Sequence, residues 1–439
     1  MFNVKITLKK ERRGNLLDIG LKVNNGQYGT TLKIYPHKCF EEFILMPTPS
    51  SLDILYFTSI IYAIDKLIPR KESDDNWSRD IQVTIPVSNS VLWELAKEDL
   101  QNGLNFLTSD NWNISFSQLS RKYFKREKDI LAINSNIEHI CLFSGGLDSL
   151  AGAIDLIHNN DNILLVSHTD GHAANFQHQD GLINKIKDEY KSKNNIKHSY
   201  IKVEADTFED STRGRSILFH GLAIFHAINF GINKIIAPEN GVISINIPLN
   251  PSRSCSNSTK TMHPYFIQKI QDALYKLNIF IEIKNPYLLK TKGEMLIQNE
   301  NKNLISQLAN LTISCSHATL RMNWFRTDNN NCGYCIPCTI RRAAIHKLGS
   351  RLDDGLEYGY DIGKNEISFN TQNETKLDIL ALSYFLNQKL NLEQLKREIK
   401  IIAKIENIDG VADMLYRGYE ELRVYLNEKG DENIKRLLH

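Results

Sequence analysis

The chain has 439 residues, more than one hydrophobic core comfortably serves, so length alone predicts two or three domains. Its 53 basic and 51 acidic residues nearly cancel to +2, which excludes a large field of one sign that would draw nucleic acid or a membrane surface. With 42% hydrophobic residues, no apolar run of about 18 residues, and no apolar core in the opening MFNVKITLKKERR, the reading is a cytoplasmic protein without a membrane span.

Phe2, Val4, Ile6 and Leu8 alternate with polar residues, as do Asp80–Val87 (DIQVTIPV) and Trp112–Ser117 (WNISFS), and each run predicts a half-buried strand. Between them Ser51–Ile68 and Ser90–Leu107 carry apolar residues at helical spacing, each entered from serines suited to capping. Residues 1–130 therefore read as a small α+β domain without a catalytic constellation. From Ile137 short apolar runs alternate with helix-length segments. His139–Phe143, Asn162–His168, His198–Ala205 and Lys234–Asn240 read as strands, with helices over Ser149–His158, around Lys185–Tyr190 and over Ser216–Asn229. The alternation predicts an α/β fold over 131–350, a parallel sheet with helices on both faces, whose ligands sit beyond the carboxyl ends of the strands. Past Arg351 the apolar periodicity is helical, through Leu377–Phe385, Leu392–Ile402 and Met414–Leu426, and predicts a helical extension over 351–439.

Leu142–Leu150, LFSGGLDSL, stands between the first strand and first helix of the central domain. The unpaired N–H groups and dipole of a helix start attract an anion, and glycines let the main chain approach it and take up positive φ. The loop Ser144-Gly145-Gly146-Leu147-Asp148-Ser149 is thus read as a phosphate cradle. It lacks the lysine of G-x-x-x-x-G-K-[ST] and does not match G-x-G-x-x-G, so it suits release of pyrophosphate better than transfer of a γ-phosphoryl group. The hydroxyls of Ser144 and Ser149 add hydrogen bonds to phosphate, and Asp148 suits a Mg²⁺ ion bridging those oxygens. A serine-capped turn with no chemical purpose contains the same residue types; the strand before and the helix after favour the cradle.

Seven cysteines occur, and four of them form Cys315-x16-Cys332-x2-Cys335-x2-Cys338, which suits a metal site better than a disulfide framework. Four thiolates at these spacings close a tetrahedron around Zn²⁺, as in a structural site. An iron–sulfur cluster or a redox thiol pair is compatible with the same residues. His317 reads as a substitute ligand or as an outer residue.

SGGLDS resembles the SGGxDS signature of the PP-loop ATP pyrophosphatases, which split ATP into AMP and pyrophosphate while adenylating a substrate. Joined to the cysteines, it resembles the 7-cyano-7-deazaguanine synthase (QueC) family over residues 137–350. Family members end in C-G-x-C-x-x-C followed by an arginine and basic residues, and CGYCIPCTIRR supplies Cys332, Gly333, Cys335, Cys338 and Arg341. The family's G-R-N at a helix start is matched by Gly214 and Arg215, with Ser216 in place of asparagine, which implies that Arg215 lies near nucleotide or substrate. The family's Tyr-Gly-Gln stretch after its second strand corresponds to the much altered His168–Gln177. The resemblance implies an ATP site formed by Phe143, Ser144, Gly145, Gly146, Leu147, Asp148, Ser149, His168, Gly214 and Arg215, with Ser144, Asp148, Ser149 and Arg215 in the chemistry. It also implies Zn²⁺ at Cys315, Cys332, Cys335 and Cys338, and a homodimer.

The family's short acidic recognition loop is replaced by residues 237–266, longer and rich in Asn, Ser, Thr and Arg. Glu239, Asn240, Asn246, Asn250, Arg253, Lys260, Thr261 and His263 are its candidate substrate contacts, by position beyond a strand end. This loop and the two extensions make the chain resemble the QueC-like proteins of bacterial anti-phage operons, the QatC type. The resemblance implies adenylation of a 7-deazaguanine carboxylate and amide formation with ammonia or with an amine of an operon partner protein. Nitrile synthesis for queuosine, a PP-loop thiolase acting on tRNA, and a nucleotide-binding scaffold without turnover are the alternatives.

Overall fold

The alternating run Asp80–Val87 forms a strand whose even-spaced residues Ile81, Val83 and Ile85 are buried, as the period of two requires. It belongs to the sheet of a computed structural model that describes residues 1–11, 16–36, 39, 47–124, 136–169, 173–192, 195–211, 213–248, 260–316, 330–349, 352–353, 356–364 and 377–439. Two compact units are formed, one by residues 1–144, 159–237 and 259–284, the other by 145–158, 238–258 and 285–439. Of the segments expected as domains, 1–130 lies in the first unit, 351–439 in the second, and 131–350 contributes to both. Among the described residues no helix is long and apolar enough to cross a membrane.

The first unit is α/β and holds one ten-stranded, mostly parallel sheet. In chain order its strands are β1 (Phe2–Glu11), β2 (Leu17–Val23), β3 (Tyr28–Tyr35), β4 (Asp80–Val87), β5 (Asn111–Gln118), β6 (His139–Leu142), β7 (Ile163–Thr169), β8 (Ile196–Glu204), β9 (Lys234–Ile236) and β10 (Glu282–Lys284). The spatial order is β10-β9-β6-β7-β8-β3-β2-β1-β4-β5. Pairing is parallel from β10 to β8 and again through β1, β4 and β5. It is antiparallel along β8, β3, β2 and β1, where Ile34 stands opposite Val203. The strands of residues 1–130 and those after Ile137 therefore share one sheet. Strands β2, β3 and β10 were not among those expected.

Helix α1 (Pro49–Leu67) is buried at every position from Ser51 to Leu67, the state of a helix with no solvent face. Its charged residues consequently need internal partners. Helix α2 (Ser90–Thr108) connects the parallel strands β4 and β5. The caps of these helices are Thr48, which accepts from the Ser51 N–H, and Asn89, which accepts from the Leu92 N–H. Of the serines expected to cap, Ser90 lies one position inside its helix and Ser51 three positions inside its own. Helices α3 (Leu147–Asn159), α4 (Ala173–Glu189), α5 (Arg215–Phe230) and α6 (Gly241–Ile245) follow β6 to β9 in turn, and α7 (Pro264–Lys276) precedes β10.

The second unit is helical around its own core. Besides α3 and α6 it contains α8 (Lys292–Ile297), α9 (Lys302–Leu308), α10 (Ile336–Leu348), α11 (Leu377–Asn387), α12 (Leu392–Ile402), α13 (Ile408–Lys429) and α14 (Glu432–Leu438). Ile379, Leu382, Leu395, Ile399, Val411, Leu415, Leu422 and Leu426 carry the expected helical stripes into that core, beside Cys332, Cys335 and Cys338.

Candidate functional site

In the first unit the chain runs from β6 through β7 to β8 in one direction, then returns to β9 on the other side of β6. The carboxyl ends of β6 and β9 thus flank the point where the order reverses, the place at which open α/β sheets hold ligands. Phe143 extends β6, donating to the Val166 carbonyl at 2.8 Å and accepting from Ser167 Oγ at 2.6 Å. The exposed Ser144 follows, its carbonyl held by Gln179 Nε2 at 3.1 Å. Asp180, His198 and Ser167 are spaced like a nucleophilic triad, at 3.2 and 2.9 Å. Ser167 is fully buried and gives its proton to Phe143, so this set supports the β6 end rather than attacking a substrate.

Two further expected residues converge on one ring. His168, at the end of β7, stands edge-on to Phe219 at 5.8 Å between ring centres and to Tyr62 of α1 at 5.6 Å. The Arg215 guanidinium lies over the same Phe219 ring at 5.3 Å, a cation–π contact that orients it at the start of α5. What fixes that helix start is also in α1. The Asp65 carboxylate accepts from the Gly214 N–H at 2.7 Å. A side chain at Gly214 would place its Cβ 2.8 Å from Asp65 Cβ and 2.9 Å from Oδ2, so only glycine admits the carboxylate. Asp65 in turn pairs with Arg79 at 2.5 Å, and Arg79 and Arg70 both bind Asp110, at 2.6 and 2.9 Å. Burial alone raises the Asp110 carboxyl, but the two guanidiniums hold it below the ordinary carboxylate range.

His263 lies in this first unit as the buried cap of α7, accepting from the Tyr265 N–H at 3.2 Å. Thr261 bonds Ser216 Oγ at 2.8 Å and its carbonyl accepts from His220 Nε2 at 2.9 Å, which ties this stretch to α5. Among the described residues, His220 Nδ1 and His263 Nε2 have no partner. Burial lowers His220 to about 4; burial, with Lys260 nearby, lowers His263 to about 3.

The remainder of the glycine loop belongs to the second unit. Gly145 has φ +81°, the positive value expected of it. The Gly146 carbonyl accepts from the Leu150 N–H at 3.0 Å and from Ser149 Oγ at 2.9 Å. Asp148 lies at the first turn of α3, where its Oδ2 accepts from the Asn240 backbone at 3.2 Å and from Asn240 Nδ2 at 2.7 Å. The same carboxylate pairs through Oδ1 with Lys292 Nζ at 3.1 Å. Lys292 is 5% exposed and opens α8, whose cap Thr291 forms a reciprocal box with Glu294. Helix α13 clamps that turn: Glu421 accepts from Thr291 Oγ1 and from the Gly293 N–H, and Arg417 binds Glu294 at 2.7 Å.

The structure thus brings Asp148 and Asn240 together and adds a lysine from 144 positions further on, a count from 148 to 292. Glu239 accepts from Ser244 Oγ at 3.0 Å and Asn246 closes α6 in a left-handed conformation. Arg253 and Asn250 lie outside the described residues. Thr291-x-x-Glu294 is a legible capping box that fixed Lys292 at a helix start; nothing in the sequence signals its return to Asp148. Tyr62, Asp65 and Phe219 were likewise absent from the expected set.

The sulfurs of Cys315, Cys332, Cys335 and Cys338 all lie within 4.8 Å of one another, with Cys332–Cys338 at 3.8 Å and Cys315–Cys335 at 4.0 Å. A tetrahedron with sulfur about 2.3 Å from a central zinc has edges of about 3.8 Å, so one ion fits. A disulfide needs about 2.0 Å. Backbone N–H groups of Cys332 and Cys335 point at the sulfurs of Cys315 and Cys332, both at 3.3 Å, and such donors favour the thiolate. Burial, together with the neighbouring thiols, drives the Cys332 thiol far above its ordinary value, and a cation held among the four sulfurs would oppose that shift. The four cysteines can bind a metal ion such as zinc. His317 lies outside the described residues. No protein-family model and no curated protein matches the chain.

Proposed function

We propose that the protein is an ATP pyrophosphatase of the PP-loop type, related to the QueC-like proteins of anti-phage operons, that activates a 7-deazaguanine carboxylate for amide formation. The observation that carries the reading is the Ser144–Ser149 loop followed by the Asp148–Asn240–Lys292 cluster. The loop lacks the lysine of a phosphoryl-transfer cradle, and Lys292 supplies an ammonium group beside it instead.

In the proposed reaction a carboxylate oxygen attacks the α-phosphorus of ATP, the bond to the β-phosphate oxygen breaks, and pyrophosphate leaves. Loop N–H groups and Lys292 stabilise the charge that builds on the departing oxygens. A Mg²⁺ ion carried on the phosphates, with Asp148 nearby, would neutralise further charge. An amine then attacks the acyl carbon, AMP leaves, and the amine nitrogen loses a proton. Ammonia gives a free amide; a lysine or N-terminal amine of a partner protein gives a conjugate. Arg215, oriented by Phe219, supplies a fixed cation for nucleotide or substrate. The close-packed thiols favour a structural metal over a sulfur-carrying thiolase. A cytoplasmic homodimer belongs to this proposal.

Incubating the protein with ATP labelled at the α-phosphate, 7-carboxy-7-deazaguanine and ammonia gives labelled AMP and pyrophosphate if the proposal holds. Labelled ADP, or turnover indifferent to the carboxylate, refutes it. Mass spectrometry of the products separates free amide, nitrile and protein conjugate.

A further inference from the structure

We propose that the four-cysteine metal site sets nucleotide affinity, by holding residues 312–315 as a strap against the glycine loop; this rests on reading that loop as the ATP site. The Ile313 N–H donates to the Gly145 carbonyl at 3.2 Å, and the Leu147 N–H donates to Ser314 Oγ at 3.4 Å. Two of the loop's peptide units are therefore oriented by the strap. In a trans peptide the carbonyl and the following N–H point in opposite directions. Fixing the Gly145 carbonyl toward Ile313 turns the Gly146 N–H to the other side of the loop, which is what an anion site needs.

The strap is itself held by the two segments that carry the cysteines. Asn331, next to Cys332, donates through Nδ2 to the Thr312 carbonyl at 3.1 Å and accepts from the Ser314 N–H at 3.1 Å. Arg341 of α10, buried, binds the Ala309 carbonyl at 2.5 Å and the Thr312 hydroxyl. Cys315 ends the strap, one residue after Ser314. Cys332, Cys335 and Cys338 are fully buried among the helices of the second unit, whereas Cys315 is half-buried. Cys315 is thus the corner of the tetrahedron that the metal, more than packing, keeps in place. Losing the ion frees the strap at the end nearest the loop.

The test uses the full chain, a non-hydrolysable ATP analogue in a calorimeter, and metal content by mass spectrometry. Metal-stripped protein and Cys315→Ser, each checked for intact helix content by circular dichroism, are expected to bind the analogue at least about tenfold more weakly. Zinc restores the stripped protein but not the variant. Ser314→Ala keeps its metal and its fold, and loses several-fold in affinity through the strap alone. Unchanged affinity in folded, metal-free protein overturns the coupling. If stripping unfolds the chain, unchanged affinity in Ser314→Ala overturns it just as well. Failure of the metal-loaded parent to bind the analogue at all rejects the loop as a nucleotide site, a different result from binding that ignores the metal.

Discussion

Asp65→Ala probes the buried network that anchors the Gly214–Arg215 turn. Asp65, Asp110, Arg70 and Arg79 form a neutral set of four charges, with both carboxylates and Arg79 shut off from solvent. Removing the Asp65 carboxylate leaves one uncompensated positive charge there, and breaking a buried pair in this way costs about 3–5 kcal/mol. Loss of the acceptor for the Gly214 N–H adds about 1 kcal/mol, the size of a helix cap. A total of about 4–6 kcal/mol is a large part of the ~5–15 kcal/mol that stabilises a typical domain. Urea unfolding followed by tryptophan fluorescence should show the midpoint falling by more than about 1 M, given slopes of roughly 1–3 kcal/mol per M. Asp65→Leu combined with Arg79→Met leaves the Asp110–Arg70 pair balanced, so the double variant should be at least about 2 kcal/mol more stable than the summed single losses. A loss below about 1 kcal/mol for Asp65→Ala, or strictly additive losses in the cycle, refutes the reasoning.

Acid should weaken the fold before most carboxylates titrate. Burial holds His220 and His226 near about 4 and His263 near about 3, so below about pH 6.5 the unfolded chain binds more protons and stability falls. Asp53, raised to about 6 by burial, opposes one of the three, leaving roughly 3 kcal/mol per pH unit between about pH 4.5 and 6; a melting temperature that stays flat over this range contradicts it. Gly152→Ala gains about 1 kcal/mol in helix propensity, but its Cβ would stand 2.2 Å from Pro238 Cγ. Overpacking of about 1–3 kcal/mol should win and lower the melting temperature, and a rise would show that α3 moves freely at this point.

Strands β4 to β9, α3 and α5 were legible because each depends on local periodicity: Ile81, Val83 and Ile85 repeat every second residue, and the Ser216–Asn229 run is long and apolar. The four thiols were legible for a similar reason, since C-x2-C spacing confines three of them within one turn and a helix start. What escaped was set by contacts across long separations. Strand β3 reads as polar alternation around Thr30, Leu32 and Ile34, and only pairing with β8 makes one sheet of two expected ones. Asp65 and Lys66 lie in a helix with no solvent side, and their partners Gly214, Glu209 and Ser211 are far along the chain. Residues 237–266, read as a single substrate loop, divide in the structure, with Glu239 to Asn246 in the second unit and His263 in the first.

Lys292 shows how such a long-range contact changes a chemical role. With the sequence alone, Asp148 is a Mg²⁺ ligand; in the structure its Oδ1 faces an ammonium and its Oδ2 takes two donors from Asn240. The carboxylate then serves to hold Lys292 and Asn240 in place, and any Mg²⁺ would rest chiefly on phosphate oxygens. The two roles separate in a double-mutant cycle on affinity for an ATP analogue. Asp148→Ala leaves Lys292, 5% exposed, without its anion, an uncompensated buried charge that no longer has a reason to stay beside the loop. Lys292→Met keeps the stem and removes the charge. If the pair acts as a unit, each single variant should weaken binding by about tenfold or more and the double variant should be within about twofold of the weaker single. If Asp148 acts only through Mg²⁺ and Lys292 only through phosphate, the two losses multiply, and raising Mg²⁺ partly rescues Asp148→Ala while leaving Lys292→Met unaffected.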